Sequence, residues 1–243
     1  MDLQTFEAEN LAEQSHWWFT NRRWLFFREI ERLNIGNDAH VLDVGTSTGT
    51  NLRVLNKSGF NNIVGVDCSD IAIAYCKEKQ LGIVKKGDVC DLPFEDEYFQ
   101  LVLATDIIEH IDDDGLALDE IYRVLAPGGY AIVTVPTFMV LWGLQDRVAQ
   151  HKRRYLLATL TKLAQNSKFH IETAYYFNFL LFLPIWFART VLNLVKPKSI
   201  KTETGINFPL LNSVLTLIFR IDVWSARYLK VPFGVSGMLV LKK

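Results

Sequence analysis

Two glycines in a short polar loop and an acid after the next apolar segment are the residues best suited to chemistry in this chain. Gly45 and Gly49 follow the apolar segment 40–44, and Asp67 follows a second one, residues 63–66. A glycine turn before a helix lets a ligand approach bare backbone, and an acid at the end of the next strand can bind ribose hydroxyls. This pattern predicts a nucleotide site.

Other polar residues lie where further apolar segments end. Asp88 follows one such segment and Thr105 ends another. Because the carboxyl ends of parallel strands open on one crevice, we expect both residues to lie near Gly45 and Asp67. Asp43 ends the first buried strand, where an unpaired charge is costly. Its partner is expected to be loop amides or an ammonium group of the ligand.

Three histidines are candidates for roles beside this site, since the pKa of imidazole lies near neutral pH. His151 lies in a basic segment and is either a general base or anion clamp, or part of a solvated stretch. His110 either packs near the ligand or begins the next helix. His16 precedes Trp17 and Trp18, and these residues form a lid over the ligand, an aromatic anchor on the core, or both.

The elements that would position these residues alternate along the chain. Strands are predicted at residues 40–44, 63–66, 83–86, 99–105, 130–135, 169–176 and 237–241, with helices between them and one helix over about 7–33. This alternation predicts an α/β fold with a mostly parallel sheet and helices on both faces.

Composition narrows the class of protein. The chain has 243 residues, of which 49% are hydrophobic, enough for one α/β domain with a sizeable core. Lys plus Arg total 26 and Asp plus Glu 27, so nucleic acid is not expected as an obligatory partner. The three cysteines show no metal-ligand spacing, so no metal is expected and a cytoplasmic location is favoured. The acidic first residues do not resemble a signal peptide.

The C-terminal third contains two apolar stretches, residues 179–188 and 209–219. Arg189 and Asn193 interrupt any longer apolar window, so no membrane-spanning helix is expected. Three lysines lie between the stretches: Lys196, Lys198 and Lys201. The region is either an apolar hairpin with a basic tip that rests on the inner face of a membrane, or a lid around an apolar substrate.

Residues 41–136 resemble the class I S-adenosylmethionine-dependent methyltransferases. Residues 43–49 look like the first motif of that family, an acid followed by Gly-x-Gly-x-Gly, and Asp67 matches its ribose-binding acid. Residues 87–94 look like its adenine loop, and residues 106–111 and 123–129 are similar to later landmarks. The resemblance implies S-adenosylmethionine as the cofactor and a Rossmann-like sheet of seven strands.

The cofactor-binding residues that this resemblance implies are Asp43, Gly45, Thr46, Ser47, Gly49, Asp67, Cys68, Asp88, Val89, Thr105 and His110. Ser47 stands where the family usually has glycine. Its side chain would lie near the methionine part of the cofactor, where it either donates a hydrogen bond to the carboxylate or narrows the site.

The flanking segments resemble a subgroup with a His-Trp-Trp-Phe segment, here residues 16–19, whose members are often linked to cell-surface glycan or lipid-precursor pathways. Its Asp/His/Arg-rich stretch is similar to Asp146, His151, Arg153, Arg154 and Tyr155. The candidate acceptor-binding residues are His16, Trp17, Arg22, Arg154, Tyr155, Tyr176 and Asn178, with His151 as the catalytic candidate.

The expected organisation is a single domain over residues 1–243. Residues 1–36 would form an N-terminal helical lid, 37–136 the cofactor-binding core, and 137–243 an acceptor side with a helical insertion at about 177–230, before the last strand. The expected function is methyl transfer to a small molecule, a lipid or a saccharide precursor. The alternatives are a non-catalytic cofactor-binding module that docks to a membrane or partner enzyme, and a nicotinamide-dependent oxidoreductase, which Ser47 and the Asp88 loop disfavour.

Overall fold

The computed structural model describes residues 3–195 and 209–243, and its centre is one seven-stranded sheet. The strands are β1 (His40–Val44), β2 (Asn62–Asp67), β3 (Ile83–Lys86), β4 (Phe99–Thr105), β5 (Leu125–Pro136), β6 (His170–Phe177) and β7 (Ser236–Lys242). Their order is β3-β2-β1-β4-β5-β7-β6. β7 runs antiparallel to the other six strands, which are parallel to one another. The predicted mostly parallel, seven-stranded α/β fold is confirmed.

Nine α-helices connect these strands in the described part of the chain. They are α1 (Leu3–Ser15), α2 (Trp17–Arg32), α3 (Thr50–Lys57), α4 (Asp70–Glu78), α5 (Asp114–Val124), α6 (Leu144–Val148), α7 (Leu157–Asn166), α8 (Phe182–Val195) and α9 (Pro209–Leu229). The single helix predicted over about 7–33 is wrong, because the chain breaks at His16. His16 has extended backbone and its Nδ1 accepts a hydrogen bond from the backbone N–H of Trp18 at 3.3 Å, which caps α2.

The sheet carries a hydrophobic core on each of its faces. Leu118 of α5 and Leu160 of α7 belong to one cluster, together with buried residues of the sheet. Phe26 of α2 and Phe219 of α9 belong to the other. Helices therefore cover both faces, and α9 packs on the sheet beside the N-terminal helix α2.

The last strand lies between two earlier ones. β7 pairs with β5 and with β6, and each residue from 236 to 241 is buried. β5 begins at Leu125, five residues before the predicted start, because Leu125 pairs with Phe99 ahead of an irregularity in the β4–β5 ladder. The sheet is therefore completed by a strand that follows the whole helical insertion.

The helical insertion exposes much of its apolar surface. No residue of α8 is buried, whereas α9 buries one face through Phe219, Val223 and Ala226. None of the helices in residues 3–195 and 209–243 combines the length and hydropathy that a bilayer crossing requires. The predicted basic tip at Lys196, Lys198 and Lys201 lies outside the described residues.

Candidate functional site

The loop after β1 turns sharply through three residues with positive φ. These are Gly45 (φ 72°), Ser47 (φ 47°) and Gly49 (φ 71°). A Cβ at Gly45 would lie 2.7 Å from Cδ1 of Ile107, so a larger residue would force the loop away from the end of β4. The left-handed conformation of Ser47 gives a physical reason for the glycine that the resemblance implies at this position, since side chains disfavour this region.

Asp67 joins this loop to the next one. It ends β2, and its Oδ2 accepts a hydrogen bond from the backbone N–H of Ser47 at 2.9 Å. Its Oδ1 accepts another from the backbone N–H of Ser69 at 2.8 Å. The strand-end acid and the glycine turn therefore lie together, as the sequence spacing predicts.

Asp43 has one satisfied and one unsatisfied carboxylate oxygen. Its side chain is buried, and Oδ1 accepts a hydrogen bond from Nδ2 of Asn51 at 2.9 Å. The same Asn51 amide donates to Oγ1 of Thr105 at 3.2 Å, so the ends of β1 and β4 are linked. Within the described residues Oδ2 has no partner. Burial raises the pKa of Asp43 to about 7. A cationic ligand group beside Oδ2 would favour the ionised form of this carboxyl.

The raised pKa of Asp43 predicts a pH-dependent stability. Between about pH 4 and 7 the Asp43 carboxyl keeps its proton in the folded chain. In the unfolded chain, where its pKa is 3.8, it has already lost that proton. The contribution of Asp43 to the free energy of unfolding of the ligand-free protein should therefore fall by about 2–4 kcal/mol as the pH rises through this interval. Urea unfolding at pH 4, 5, 6 and 7 measures it. Asp43→Asn should flatten the slope, and an unchanged slope in that variant contradicts the prediction.

Four further candidates surround this loop in different ways. Thr46 donates its hydroxyl to the carbonyl of Asp43 at 3.0 Å, so its side chain stabilises the loop itself. Asp88 follows β3, and its Oδ1 accepts from the backbone N–H of Cys90 at 2.9 Å. Val89 is buried and Cys68 is exposed. The ends of β3, β2, β1 and β4 are adjacent in the sheet, so these residues share one edge with Asp67.

The N-terminal helices α1 and α2 form polar contacts with these loops. Glu13 of α1 accepts hydrogen bonds from the hydroxyl of Thr48 in the glycine loop and from that of Thr50 at the start of α3. Arg22 of α2 forms an ion pair with Asp106, immediately after β4. The helices α1 and α2 therefore cover the edge where β1 and β4 end.

His16 and Trp17 make contacts with the C-terminal insertion. The backbone N–H of Trp17 donates to Oδ1 of Asn212 at 2.7 Å, and its ring lies 5.5 Å from that of Phe219, edge to face. His16 is 5% exposed. These are the contacts that an aromatic anchor on the core would make.

His151 lies in a network of carboxylates. Its Nδ1 is 2.9 Å from Oδ1 of Asp146, and its Nε2 is 3.8 Å from Oε1 of Glu109. Its side chain is 13% exposed, so the interpretation of a solvated basic stretch is wrong at this residue. The ring of His110 lies 4.8 Å from that of His151 in an edge-to-face arrangement. The two histidines named separately in the sequence are therefore neighbours.

Asp146 fixes the orientation of this network. It is fully buried and accepts from Nε and Nη2 of Arg154 at 2.8 and 3.0 Å, and from the backbone N–H of Gly143 at 2.8 Å. Burial alone would raise the pKa of Asp146, but the hydrogen bond from His151 and the Arg154 guanidinium hold it well below its usual range. An ionised Asp146 favours the His151 tautomer with the proton on Nδ1, and the free lone pair is then on Nε2.

Glu109 is a functional candidate that the sequence did not single out. It is 0% exposed, and neither carboxylate oxygen has a hydrogen-bond partner among the described residues. Burial raises its pKa to about 8. Burial, with a smaller effect of His151, lowers the pKa of His110 to about 4. The available signal was its position between the isoleucines at 107, 108 and 111 in the segment that follows β4.

The remaining acceptor-side candidates have other partners. Tyr155 donates its hydroxyl to Oδ2 of Asp114 at 2.7 Å, and the Tyr176 hydroxyl accepts from the backbone N–H of Leu157 at 2.9 Å. Asn178 is fully buried, and its side-chain amide has no partner in the described ranges. Tyr176 and Asn178 lie at the end of β6, and no hydrogen bond among the described residues joins either to His151.

Comparison with known proteins identifies the central part of the chain. Residues 42–133 match a family model described as "Methyltransferase domain". A "Probable S-adenosylmethionine-dependent methyltransferase" of Mycolicibacterium smegmatis is 25% identical over 165 residues, which are 67% of this chain and 62% of that protein.

Two other relatives have named acceptors. The sterol 24-C-methyltransferase of Schizosaccharomyces pombe is 34% identical over 107 residues, 40% of this chain and 28% of the relative. The chloroplastic 2-methyl-6-phytyl-1,4-hydroquinone methyltransferase of Arabidopsis thaliana is 34% identical over 110 residues, 43% and 32% of the two proteins. The chain thus spans less than two thirds of the length of these three relatives.

A solved structure shares the fold. It is phosphoethanolamine N-methyltransferase 2 of Haemonchus contortus in complex with S-adenosyl-L-methionine, with a TM-score of 0.57 and 20% identity. The alignment covers 88% of this chain and 51% of that one. The similarity extends beyond residues 42–133 to most of the described sheet and helices.

Proposed function

We propose that the protein transfers the methyl group of S-adenosylmethionine to a small-molecule or lipid acceptor, because residues 42–133 match the model of a methyltransferase domain and the chain is similar to a probable S-adenosylmethionine-dependent methyltransferase. The observation that carries this proposal is the position of Asp67, whose carboxylate lies against the backbone of Ser47. An acid held at a glycine turn in this way is suited to the ribose hydroxyls of the cofactor.

The other cofactor contacts follow from the same edge of the sheet. The unpartnered Oδ2 of Asp43 is the proposed site of the cofactor ammonium, because a buried carboxylate favours a cationic partner. Asp88 and Val89 are proposed to bind adenine, with Cys68 beside the ribose. Gly45 and Gly49 let the cofactor approach the backbone.

Titration calorimetry with S-adenosylmethionine and with S-adenosylhomocysteine tests the proposal. We expect binding of one equivalent of each at micromolar concentration. No heat of binding at millimolar ligand contradicts the cofactor assignment. Binding without release of a methylated product from any lipid or glycan extract supports the alternative of a non-catalytic cofactor-binding module.

On the acceptor side, the protein has mainly to orient the acceptor. Methyl transfer from a sulfonium is an in-line displacement, and positioning the acceptor lone pair can lower the barrier by about 7–11 kcal/mol. An oxygen acceptor also has to lose a proton. We propose that His151, oriented by Asp146, acts at that oxygen, as proton acceptor or as clamp for the anion. The other residues proposed to bind the acceptor are His16, Trp17, Arg22, Arg154, Tyr155, Tyr176 and Asn178.

A lipid is the acceptor class best supported by the surface of the chain. Two relatives are named for a sterol and a phytyl hydroquinone, which are both apolar molecules. The exposed large side chains of α8 and α9 include Leu183, Phe187, Leu194, Leu217, Ile221, Trp224 and Tyr228. The described sequence of α8 has no acid, and the one acid of α9, Asp222, is buried. We propose that this apolar surface rests on a bilayer from which the acceptor is taken.

Vesicle binding tests the membrane contact. Leu217 and Trp224 are 62% and 60% exposed, so replacing both with glutamate should leave the fold intact. The double variant should bind anionic phospholipid vesicles at least about tenfold more weakly, because two apolar groups can no longer enter the interface and two negative charges are added. Co-sedimentation with vesicles measures this.

A matched control comes from the opposite edge of the sheet. Ile83 on the edge strand β3 is 64% exposed, and Ile83→Glu should bind vesicles as the unchanged protein does. Equal vesicle binding by the unchanged protein and the Leu217/Trp224 variant rejects the docking surface. Cofactor binding by all three proteins confirms that each is folded.

A further inference from the structure

Three side chains that could bind a metal ion lie close together in the segments that follow β4 and α6. One ligand atom from each of Glu109, His110 and His151 lies within 4.8 Å of the other two. Glu109 and His110 belong to a short 3-10 turn after β4, and His151 follows α6. The backbone N–H of Lys152 donates to the carbonyl of Glu109 at 2.9 Å, which holds the two segments together.

Glu109 is the residue that most needs a partner. Its side chain is fully buried, and both carboxylate oxygens lack a hydrogen bond within residues 3–195 and 209–243. Buried carboxylates in folded proteins are paired or bind metal ions, because an unpaired one is costly. A second potential ligand atom lies close to this carboxylate, since His151 Nε2 is 3.8 Å from Oε1.

His151 already has the second contact that metal-binding histidines make. Its Nδ1 lies 2.9 Å from Oδ1 of Asp146, which leaves Nε2 on the side of Glu109. A carboxylate behind a ligating imidazole fixes its tautomer and increases its basicity. A zinc ion forms bonds of about 2.0–2.2 Å to nitrogen and oxygen, so it fits between atoms separated by this distance.

His110 supplies the third group. Its ring contacts that of His151 edge to face, and no hydrogen bond to its ring nitrogens exists among the described residues. Two imidazoles and one carboxylate are a donor set that suits Zn²⁺ and similar cations better than Mg²⁺ or Ca²⁺.

We propose that Glu109, His110 and His151 bind one divalent transition-metal cation of the Zn²⁺ type, with an open position for an oxygen of the methyl acceptor. This inference rests on the proposed methyl transfer and specifies how His151 acts there, as holder of the cation that clamps the acceptor anion. A hydroxyl bound to such a cation loses its proton more readily. That proton goes to water, and the oxygen then attacks the methyl carbon as the sulfur–carbon bond breaks.

Titration of the chelator-treated protein with Co²⁺ and Zn²⁺ tests the site. We expect visible absorption from one equivalent of Co²⁺, displaced by Zn²⁺, in the unchanged protein. His110→Ala and Glu109→Gln should each weaken binding by about 100-fold or more. The matched control is His170→Ala, which removes an exposed histidine of β6 and should bind as the unchanged protein does. Less than a fifth of an equivalent in the unchanged protein overturns the proposal, as does unchanged affinity in both cluster variants.

Two measurements separate this proposal from the methyltransferase function. Thermal unfolding without metal verifies that each variant folds, and His110→Gln replaces any alanine variant that does not. S-adenosylmethionine binding is measured on the same metal-free samples. Cofactor binding without metal binding rejects the metal site alone, whereas metal binding without cofactor binding rejects the proposed function alone.

Discussion

Asp67→Ala lowers the affinity for S-adenosylmethionine by about 100-fold. The variant loses the carboxylate that accepts from the backbone N–H groups of Ser47 and Ser69, and with it the proposed ribose acceptor. Hydrogen bonds to a charged group contribute about 1.5–3 kcal/mol each, and a 100-fold change is about 2.7 kcal/mol. Titration calorimetry of the cofactor measures the change.

The control for this prediction is three residues away. Asp70 begins α4, and its side chain is 79% exposed and paired with Lys86. Asp70→Ala should bind the cofactor within about twofold of the unchanged protein, because an exposed ion pair contributes little. Asp67→Asn, which keeps the shape and removes the charge, should lie between the two. Asp67→Ala binding as tightly as Asp70→Ala disproves the ribose assignment.

Asp146→Ala destabilises the fold by about 3–5 kcal/mol. Arg154 is 8% exposed and keeps its bond to the carbonyl of Thr137, but loses the carboxylate that neutralises it. Removing one partner of a buried ion pair is far more costly than losing a surface pair. The backbone N–H of Gly143 also loses its acceptor. Urea unfolding at pH 7 gives the free energy directly.

Two further variants serve as comparisons for this prediction. Asp146→Asn retains hydrogen-bond acceptance and should cost less than the alanine variant. Lys86→Ala breaks the exposed pair with Asp70 and should leave the midpoint of unfolding unchanged. If Asp146→Ala loses less than about 1 kcal/mol, the network does not depend on the carboxylate.

Much of the sheet could be predicted because local pattern and tertiary position agree there. β1, β3 and β4 have the predicted bounds, since each is a short run of strand-forming residues between turn residues. The start of β5 could not be predicted, because Leu125 joins the sheet only through its pairing with Phe99. The break at His16 depends on the contacts of Trp17 with α9, which are separated from it by almost the whole chain.

Some residues of the candidate site could likewise be predicted from the sequence, and others could not. The glycine turn and Asp67 could be predicted because their spacing is local and is dictated by strand–turn–helix geometry. Glu13 and Glu109 could not, because a carboxylate shows its importance through burial and missing partners, which depend on elements far away in sequence. The role of His151 changed most, since sequence neighbours suggested cations around it and the folded chain supplies Asp146.

The position of β7 has a consequence for synthesis on the ribosome. β5 and β6 emerge from the exit tunnel well before their common partner, so each presents an unsatisfied edge while the apolar α8 and α9 are still being made. Nascent chains in that state are prone to misassociation. Chaperone capture should therefore peak after residue 177 has emerged and decline once residue 242 is free to insert.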